Sequence, residues 1–230
     1  MSMISSFGEL YNKTLTPAFA NYTISNNAFD VYEHDSSPDV KTRLLRVEHT
    51  GASFASFNHM LVKGIGDITE MRSSKLKDLD CDGVTFASHL GHDNLIFSEL
   101  KSKFSTQKVY EAFQQMTHSF LKVHAMLSLC ENYTLNNVSL HFIAACQCFE
   151  DKNQEDGVYN RLSKEEQIDN TTFVGKFMRR LIEQHDITIR FGDMTAVWGL
   201  PLNQSLANKE ITLSLQVTQK FGDSSLIYSY

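Results

Sequence analysis

The chain has 230 residues, 42% of them hydrophobic, and its 21 Lys and Arg against 27 Asp and Glu give a formal net charge of −6. This length allows one sizeable core, so we expect a single domain over residues 1–230. The acidic balance argues mildly against unaided binding of nucleic acid, because phosphate contacts need a basic surface. No basic N-terminal region precedes an apolar run and no apolar stretch reaches the roughly 20 residues of a membrane span, so we expect a cytoplasmic protein without membrane contact.

The first third of the chain predicts little regular structure before residue 41. Residues 1–40 are polar and interrupted by Pro17 and Pro38, which favours a short helix around residues 7–15 followed by irregular or edge structure. Residues 41–49 alternate enough to predict a strand, whereas residues 52–61 fit a helix or a strand equally well.

Two strands joined by a turn are predicted over residues 80–101. Both halves are rich in β-branched and aromatic residues, and the segment from Ser88 to Asp93 between them is typical of a turn. If Ala87 pairs with Asn94, the register places Asp82 opposite Glu99, with Cβ atoms roughly 4.5–5.5 Å apart. Two like charges at that distance repel unless a cation lies between them. Lys101 emerges on the same face as Glu99, so the sequence predicts a divalent-metal site beside a lysine.

The clearest element of the sequence is an amphipathic helix from Ser105 to about Glu131, with Ser105 or Thr106 as its N-cap. Its apolar face comprises Val109, Phe113, Met116, Phe120, Val123, Leu127 and Cys130. Residues 137–148 then form a nearly continuous apolar run, typical of a strand buried on both faces in a parallel sheet. Two strands, a helix and a strand give the order β-β-α-β, in which the helix is the usual parallel crossover.

The C-terminal part predicts a second amphipathic helix over residues 171–184 and strands over residues 187–191, 211–218 and 226–230. Trp198 and Pro201 fall in the intervening loop. We therefore predict an α/β fold with a mixed sheet flanked by helices, in which a core of about residues 41–148 is followed by a C-terminal extension of about residues 160–230.

An Asp at the head of one strand and a Glu-x-Lys late in the next, here Asp82 and Glu99-Leu100-Lys101, resemble the motif of the PD-(D/E)xK nuclease superfamily. The β-β-α-β order is similar to the restriction-endonuclease-like core of that family. The sequence departs from the pattern in having Cys81 where the family often has proline.

The resemblance implies a metal-dependent nuclease that hydrolyses DNA. Asp82, Glu99 and the backbone carbonyl of Leu100 would hold Mg²⁺ or Mn²⁺, and Lys101 would orient the attacking water or stabilise the developing charge. A further upstream acid, for which we consider Glu48 first and then Glu70 and Asp80, often completes the family's set. Residues implied around this site are Gln107, as a polar catalytic residue, and Lys103 and Lys108, as contacts to nucleic acid.

Two hypotheses about activity follow from the sequence. The first is the nuclease of a restriction or anti-phage defence system, with DNA as substrate and an ATPase or helicase partner, or self-association, compensating for the acidic surface. The second is a non-catalytic, nuclease-like accessory subunit of a multi-protein complex, in which the same charges only stabilise strand ends, as exposed pairs do by ~0–1 kcal/mol.

Overall fold

The computed structural model describes residues 23–32, 44–57, 80–101, 105–131, 133–146, 177–217 and 225–229. They form an α/β fold built on one mixed sheet of eight strands. The strands are β1 (Thr23–Tyr32), β2 (Leu44–Phe57), β3 (Gly83–His89), β4 (His92–Lys101), β5 (Val138–Cys146), β6 (Asp186–Arg190), β7 (Glu210–Val217) and β8 (Ser225–Ser229). The α-helices are α1 (Thr106–Leu127), α2 (Arg179–Gln184), α3 (Phe191–Thr195) and α4 (Gln204–Ala207), with single 3₁₀ turns at Leu135–Asn137 and Ala196–Trp198.

The sheet has the order β1-β2-β3-β4-β5-β7-β6, and β8 pairs with β2 beside this path. β4 and β5 are parallel and are connected through α1, and β5 is also parallel to β7. β1, β2, β3 and β4 pair antiparallel in succession, as do β6 and β7. The predicted mixed sheet and the β-β-α-β order are thus confirmed, and β1 lies at the edge of the sheet.

The helix α1 begins and packs as its sequence predicts. The Ser105 hydroxyl accepts a hydrogen bond from the Lys108 N–H, which satisfies one of the free donors of the first turn. The helix ends at Leu127 and not near Glu131, because a hydrogen-bonded turn follows it. All seven residues of its predicted apolar face are buried, in one cluster with the inner sides of β3, β4, β5 and β7.

The opposite face of the sheet is covered by the sheet itself. The first half of β2, together with β1 and β8, places Val31, Leu45, Val47 and Tyr228 in one apolar cluster with the outer side chains of β3, β4 and β5. β5 is therefore buried on both faces, as its continuous apolar sequence predicts.

Some predicted boundaries change. The turn between β3 and β4 comprises only Leu90 and Gly91, both with positive φ, because the strands extend to His89 and His92. The ambiguous segment after residue 52 continues β2 up to Phe57, and its remainder lies outside the described residues.

The predicted strand over residues 187–191 ends at Arg190, because Phe191 begins α3, and the loop with Trp198 contains short helices. The helix predicted around residues 7–15 lies outside the described residues, as does the first part, residues 171–176, of the helix predicted over residues 171–184, whose end forms α2. No helix in the described part of the chain is both long and apolar enough to cross a membrane.

Candidate active site at the ends of two strands

The predicted acids meet where β3 begins and β4 ends. Ala87 pairs with Asn94 and the ladder closes at Gly83 opposite Ser98, so the register is the predicted one. One residue beyond this last pair, Asp82 lies beside Glu99. The Glu99 side chain is 3% exposed, and Asp82 is half-buried.

The two carboxylates continue the ladder where backbone pairing stops. Asp82 Oδ2 accepts a hydrogen bond from the Leu100 N–H at 2.7 Å, and Glu99 Oε2 accepts one from the Asp82 N–H at 3.2 Å. Hydrogen bonds from backbone N–H groups favour the ionised form of a carboxyl group. The arrangement therefore holds two negative charges side by side at fixed positions.

Lys101 joins this pair to the helix. Its ammonium group donates to Glu99 Oε1 and, at 2.8 Å, to Gln115 Oε1 of α1. The Gln115 amide in turn donates to the backbone carbonyl of Asp80 at 3.1 Å. The Lys101 side chain is only 17% exposed, and its hydrogen bonds with Glu99 and Gln115 set the position of the ammonium group.

A second buried ion pair lies next to the first. Lys122 Nζ of α1 is 2.5 Å from Asp80 Oδ1, and these side chains are 5% and 15% exposed. Between the two pairs, the Cys81 N–H donates to Ser119 Oγ at 2.9 Å. Burial raises the pKa of the Cys81 thiol above its usual range; the hydrogen bond with Ser119 opposes this, and the neighbouring carboxylates, led by Glu99, add to it. The thiol therefore stays protonated in the metal-free protein and is a poor nucleophile there.

Gln107 and Lys108 lie on the exposed start of α1 and do not contact Asp82 or Glu99. Both donate hydrogen bonds to the Glu111 carboxylate, at 3.0 and 2.8 Å. The hydrogen bond from Lys108, and after it the one from Gln107, lowers the pKa of Glu111. Gln107 is eight residues, about 12 Å of helix, from Gln115. The position that the sequence suggests for Gln107 beside Lys101 is thus occupied by Gln115.

Of the two upstream acids that lie among the described residues, Asp80 is the one at the site, where Lys122 neutralises it. Glu48 instead accepts a hydrogen bond from Arg46 at 2.8 Å, on β2. Lys103 and Glu70 lie outside the described residues.

The residues missed by the sequence analysis are Gln115, Ser119 and Lys122. They are spaced by four and three residues, so they form a polar stripe on α1 beside its apolar face. That spacing is visible in the sequence, whereas the contacts that these three residues make with residues 80–101 are not.

The donor atoms are of the kind that a hard cation prefers. Asp82 and Glu99 supply carboxylate oxygens. In a strand, the N–H and C=O of one residue point to the same side; since the Leu100 N–H points at Asp82, the Leu100 carbonyl faces the same region. Oxygen ligands of this kind fit Mg²⁺ or Mn²⁺. Among the described residues, however, no three His, Cys, Asp or Glu side chains form a metal-binding group, so the site offers two carboxylates and backbone oxygen.

A cleft of about 700 Å³ lies at the opposite end of β4 and β5 and contains none of the predicted site residues. Among its lining residues, His92 begins β4 and is about 30 Å of strand from Lys101. Burial lowers the pKa of His141, which also lines this cleft, to about 4.

Comparisons with protein-family models, with characterised proteins and with solved structures find no match to this chain.

Proposed function

We propose that this protein is a metal-dependent nuclease that hydrolyses DNA phosphodiester bonds, with β3, β4, α1 and β5 as a restriction-endonuclease-like core. The observation that carries the proposal is the hydrogen-bonded group of Asp82, Glu99 and Lys101 at adjacent strand ends. These are the three side chains through which the sequence resembles the PD-(D/E)xK pattern, and their contacts at neighbouring strand ends support the proposal.

Asp82, Glu99 and the Leu100 carbonyl would hold Mg²⁺ or Mn²⁺, which when bound polarises a phosphate oxygen and acidifies a water molecule. Lys101 would remain beside this site as a fixed positive charge, able to orient water and to offset the charge developing on the phosphate. Gln115 keeps the Lys101 ammonium in place through a 2.8 Å hydrogen bond, so the charge need not reorganise during the reaction.

The local charge also supports a cation. Among the described residues of this largely buried cluster, the carboxylates are Asp80, Asp82 and Glu99 and the ammonium groups are Lys101 and Lys122, an excess of one negative charge. A divalent ion would reverse this excess and create a positive region for a phosphate group.

Because the whole chain carries a formal charge of −6, we propose that DNA is engaged together with a partner or a second copy of the chain. An ATPase or helicase subunit of a cytoplasmic restriction or anti-phage system would supply the basic surface that phosphate binding needs. Lys108, whose side chain is 49% exposed, and Lys103 would add contacts from this chain.

A second candidate function is a non-catalytic accessory subunit. It is favoured by the strand-end hydrogen bonds of Asp82 and Glu99, together with the Glu99–Lys101 ion pair. These contacts give both acids a structural role without any metal.

The test is cleavage of plasmid and linear DNA by the purified protein with Mg²⁺ or Mn²⁺, beside a Glu99→Ala, Lys101→Ala double variant whose folding is checked by circular dichroism. The nuclease predicts cleavage that needs metal and is lost in the variant. A matched Glu183→Ala, Arg179→Ala variant removes an exposed pair on α2 and should cleave like the wild type. Equal cleavage by all three proteins would contradict the proposed site, and a complete lack of cleavage in the presence of co-purifying partners would favour the accessory subunit.

A further inference from the structure

β2 carries a large bulge that brings a histidine to the turn of the neighbouring hairpin. β1 pairs Asn26 with Ser53 and Ala28 with Glu48, so four residues of β2, numbers 49–52, oppose the single residue Asn27. Bulges commonly re-aim a side chain and are frequent near functional sites. This bulge is held by a 2.8 Å hydrogen bond from the Gly51 N–H to Asn27 Oδ1.

The bulge places the ring of His49 against that of His89. The two ring centroids are 4.6 Å apart and the rings are tilted by 50°. Gly51 makes this approach possible: its φ is +82°, and a Cβ there would lie 3.0 Å from His89 Cε1. The backbone thus takes a conformation that favours glycine where it packs against an imidazole.

The ring nitrogens of the two residues are suited to a metal ion. His49 Nδ1 lies 3.1 Å from the Thr50 carbonyl; since a carbonyl only accepts, Nδ1 carries the proton and Nε2 the lone pair. A second ring nitrogen donating to a backbone carbonyl is the usual arrangement of metal-binding histidines. His89 Nδ1 is buried and makes no hydrogen bond within the described part of the chain, and such a nitrogen calls for a bound water or ion.

A third histidine lies across the hairpin. His92 is paired directly with His89, so the two side chains share a face and their Cα atoms are roughly 5.5 Å apart. His92 is exposed beside the two-residue turn. As no three metal-binding side chains already converge in the described residues, a rotation of the exposed His92 side chain must complete the set.

We propose that His49, His89 and His92 form a second metal site, for a borderline divalent ion of the Zn²⁺ type. Three imidazoles with one water are a common tetrahedral set for Zn²⁺, with Zn–N bonds of about 2.0–2.1 Å. Imidazole favours Zn²⁺, Ni²⁺ or Cu²⁺ over Mg²⁺, so this site and the oxygen site at the other end of β4 select different ions. The proposal is independent of any nuclease activity.

The test is titration of tag-free, metal-free protein with Zn²⁺ by isothermal titration calorimetry, in buffer containing excess Mg²⁺. We expect one Zn²⁺ per chain. His49→Gln and His89→Gln should each raise Kd at least about 100-fold, because even the outer partners of metal ligands are worth about 10–100-fold. His92→Gln, at an exposed position where folding is not at risk, should raise Kd at least about tenfold.

Two variants serve as controls. His185→Asn changes a histidine with a φ of +63°, a positive value that asparagine adopts more readily than most residues, just before the edge strand β6. Glu183→Gln removes an exposed carboxylate on α2. Both should bind Zn²⁺ like the wild type. Co²⁺ in place of Zn²⁺ should give visible absorption of a tetrahedral nitrogen site in the wild type and not in His92→Gln. An absence of Zn²⁺ binding in the wild type, or a Kd that His49→Gln and His92→Gln leave unchanged, would overturn the proposal.

Discussion

Replacing Lys122 by methionine is expected to lower the free energy of unfolding by about 3 kcal/mol. Lys122 Nζ is 2.5 Å from Asp80 Oδ1, and the two side chains are 5% and 15% exposed. Removing one partner of a buried ion pair costs about 3–5 kcal/mol, because the other charge remains in a poorly solvated position. The partial exposure of Asp80 places the expected value at the lower end of this range. Methionine has a similar length, so little of the loss comes from packing.

The double variant Asp80→Asn, Lys122→Met separates the charge from the packing. With both charges gone, no uncompensated carboxylate remains, and the backbone carbonyl of residue 80 still accepts from Gln115. We expect the double variant to lie within about 1 kcal/mol of the wild type, which corresponds to a coupling energy of about 2 kcal/mol or more.

Urea denaturation followed by circular dichroism measures these differences. Arg179→Met is the control, since it removes a 3.1 Å ion pair whose side chains are 73% and 58% exposed and should cost less than about 1 kcal/mol. A Lys122→Met loss as small as that of the control, or a double variant that loses the sum of the two single losses, would refute this reasoning.

Four further predictions test other parts of the structure. Gly83→Ala should lower the free energy of unfolding by about 1–3 kcal/mol, because the added Cβ would lie 2.5 Å from Val31 Cγ1. Denaturation curves should show that Val31→Ala, added to this variant, restores part of that free energy; no restoration would mean that the strain does not come from Val31. Leu90→Asn should raise the free energy of unfolding by about 0.5–1 kcal/mol, since Leu90 has a φ of +49° in an exposed turn; a lower Tm would contradict this. The folded-state pKa of His141 is lowered from 6.5 to about 4, so the unfolded chain takes up its proton first. Stability should therefore fall as pH decreases from 6.5 toward 4, by up to about 1.4 kcal/mol per pH unit from this residue, and parallel curves for wild type and His141→Gln would refute that assignment. If the proposed nuclease is correct, Gln115→Leu should slow metal-dependent cleavage about tenfold or more, because Lys101 is then misplaced. Gln115→Glu should slow cleavage less, since it keeps an oxygen that accepts from Lys101. Equal slowing by both variants would contradict the positioning role of Gln115.

The part of the site carried by local pattern could be predicted from the sequence. The short turn and the alternation of β3 and β4 set one register, and that register alone places Asp82 beside Glu99 and Lys101 on the Glu99 face. The apolar face of α1 was equally clear, because helical spacing is a local property.

The rest of the site depends on contacts between distant parts of the chain. The contacts of Gln115 with Asp80, of Cys81 with Ser119 and of Lys122 with Asp80 span 35, 38 and 42 residues. They depend on how α1 lies on the sheet, which the apolar spacing alone does not set. The sequence suggested Gln107 because the resemblance implies a polar residue at the start of the helix after the Glu-x-Lys strand, whereas the structure places Gln115, about two turns further along α1, beside Lys101.

The bulge in β2 could not be predicted either. Residues 49–52 contain one glycine and no other signal of a bulge, and the partner of that bulge, Asn27, precedes them by more than 20 residues. The parallel pairing of β8 with β2 likewise joins distant parts of the chain and has no local sequence signal.

The most direct test of the proposed active site is the binding of Mn²⁺, followed by electron paramagnetic resonance, because it needs neither a substrate nor a partner protein. The measurement is made in a His49→Gln background, so that the imidazole site does not contribute. We predict one bound Mn²⁺ per chain, displaced by Mg²⁺, and at least about a tenfold weaker affinity after Asp82→Asn or Glu99→Gln, with no change after Glu183→Gln. Absence of Mn²⁺ binding, or equal binding by all of these variants, would contradict a metal site at Asp82 and Glu99.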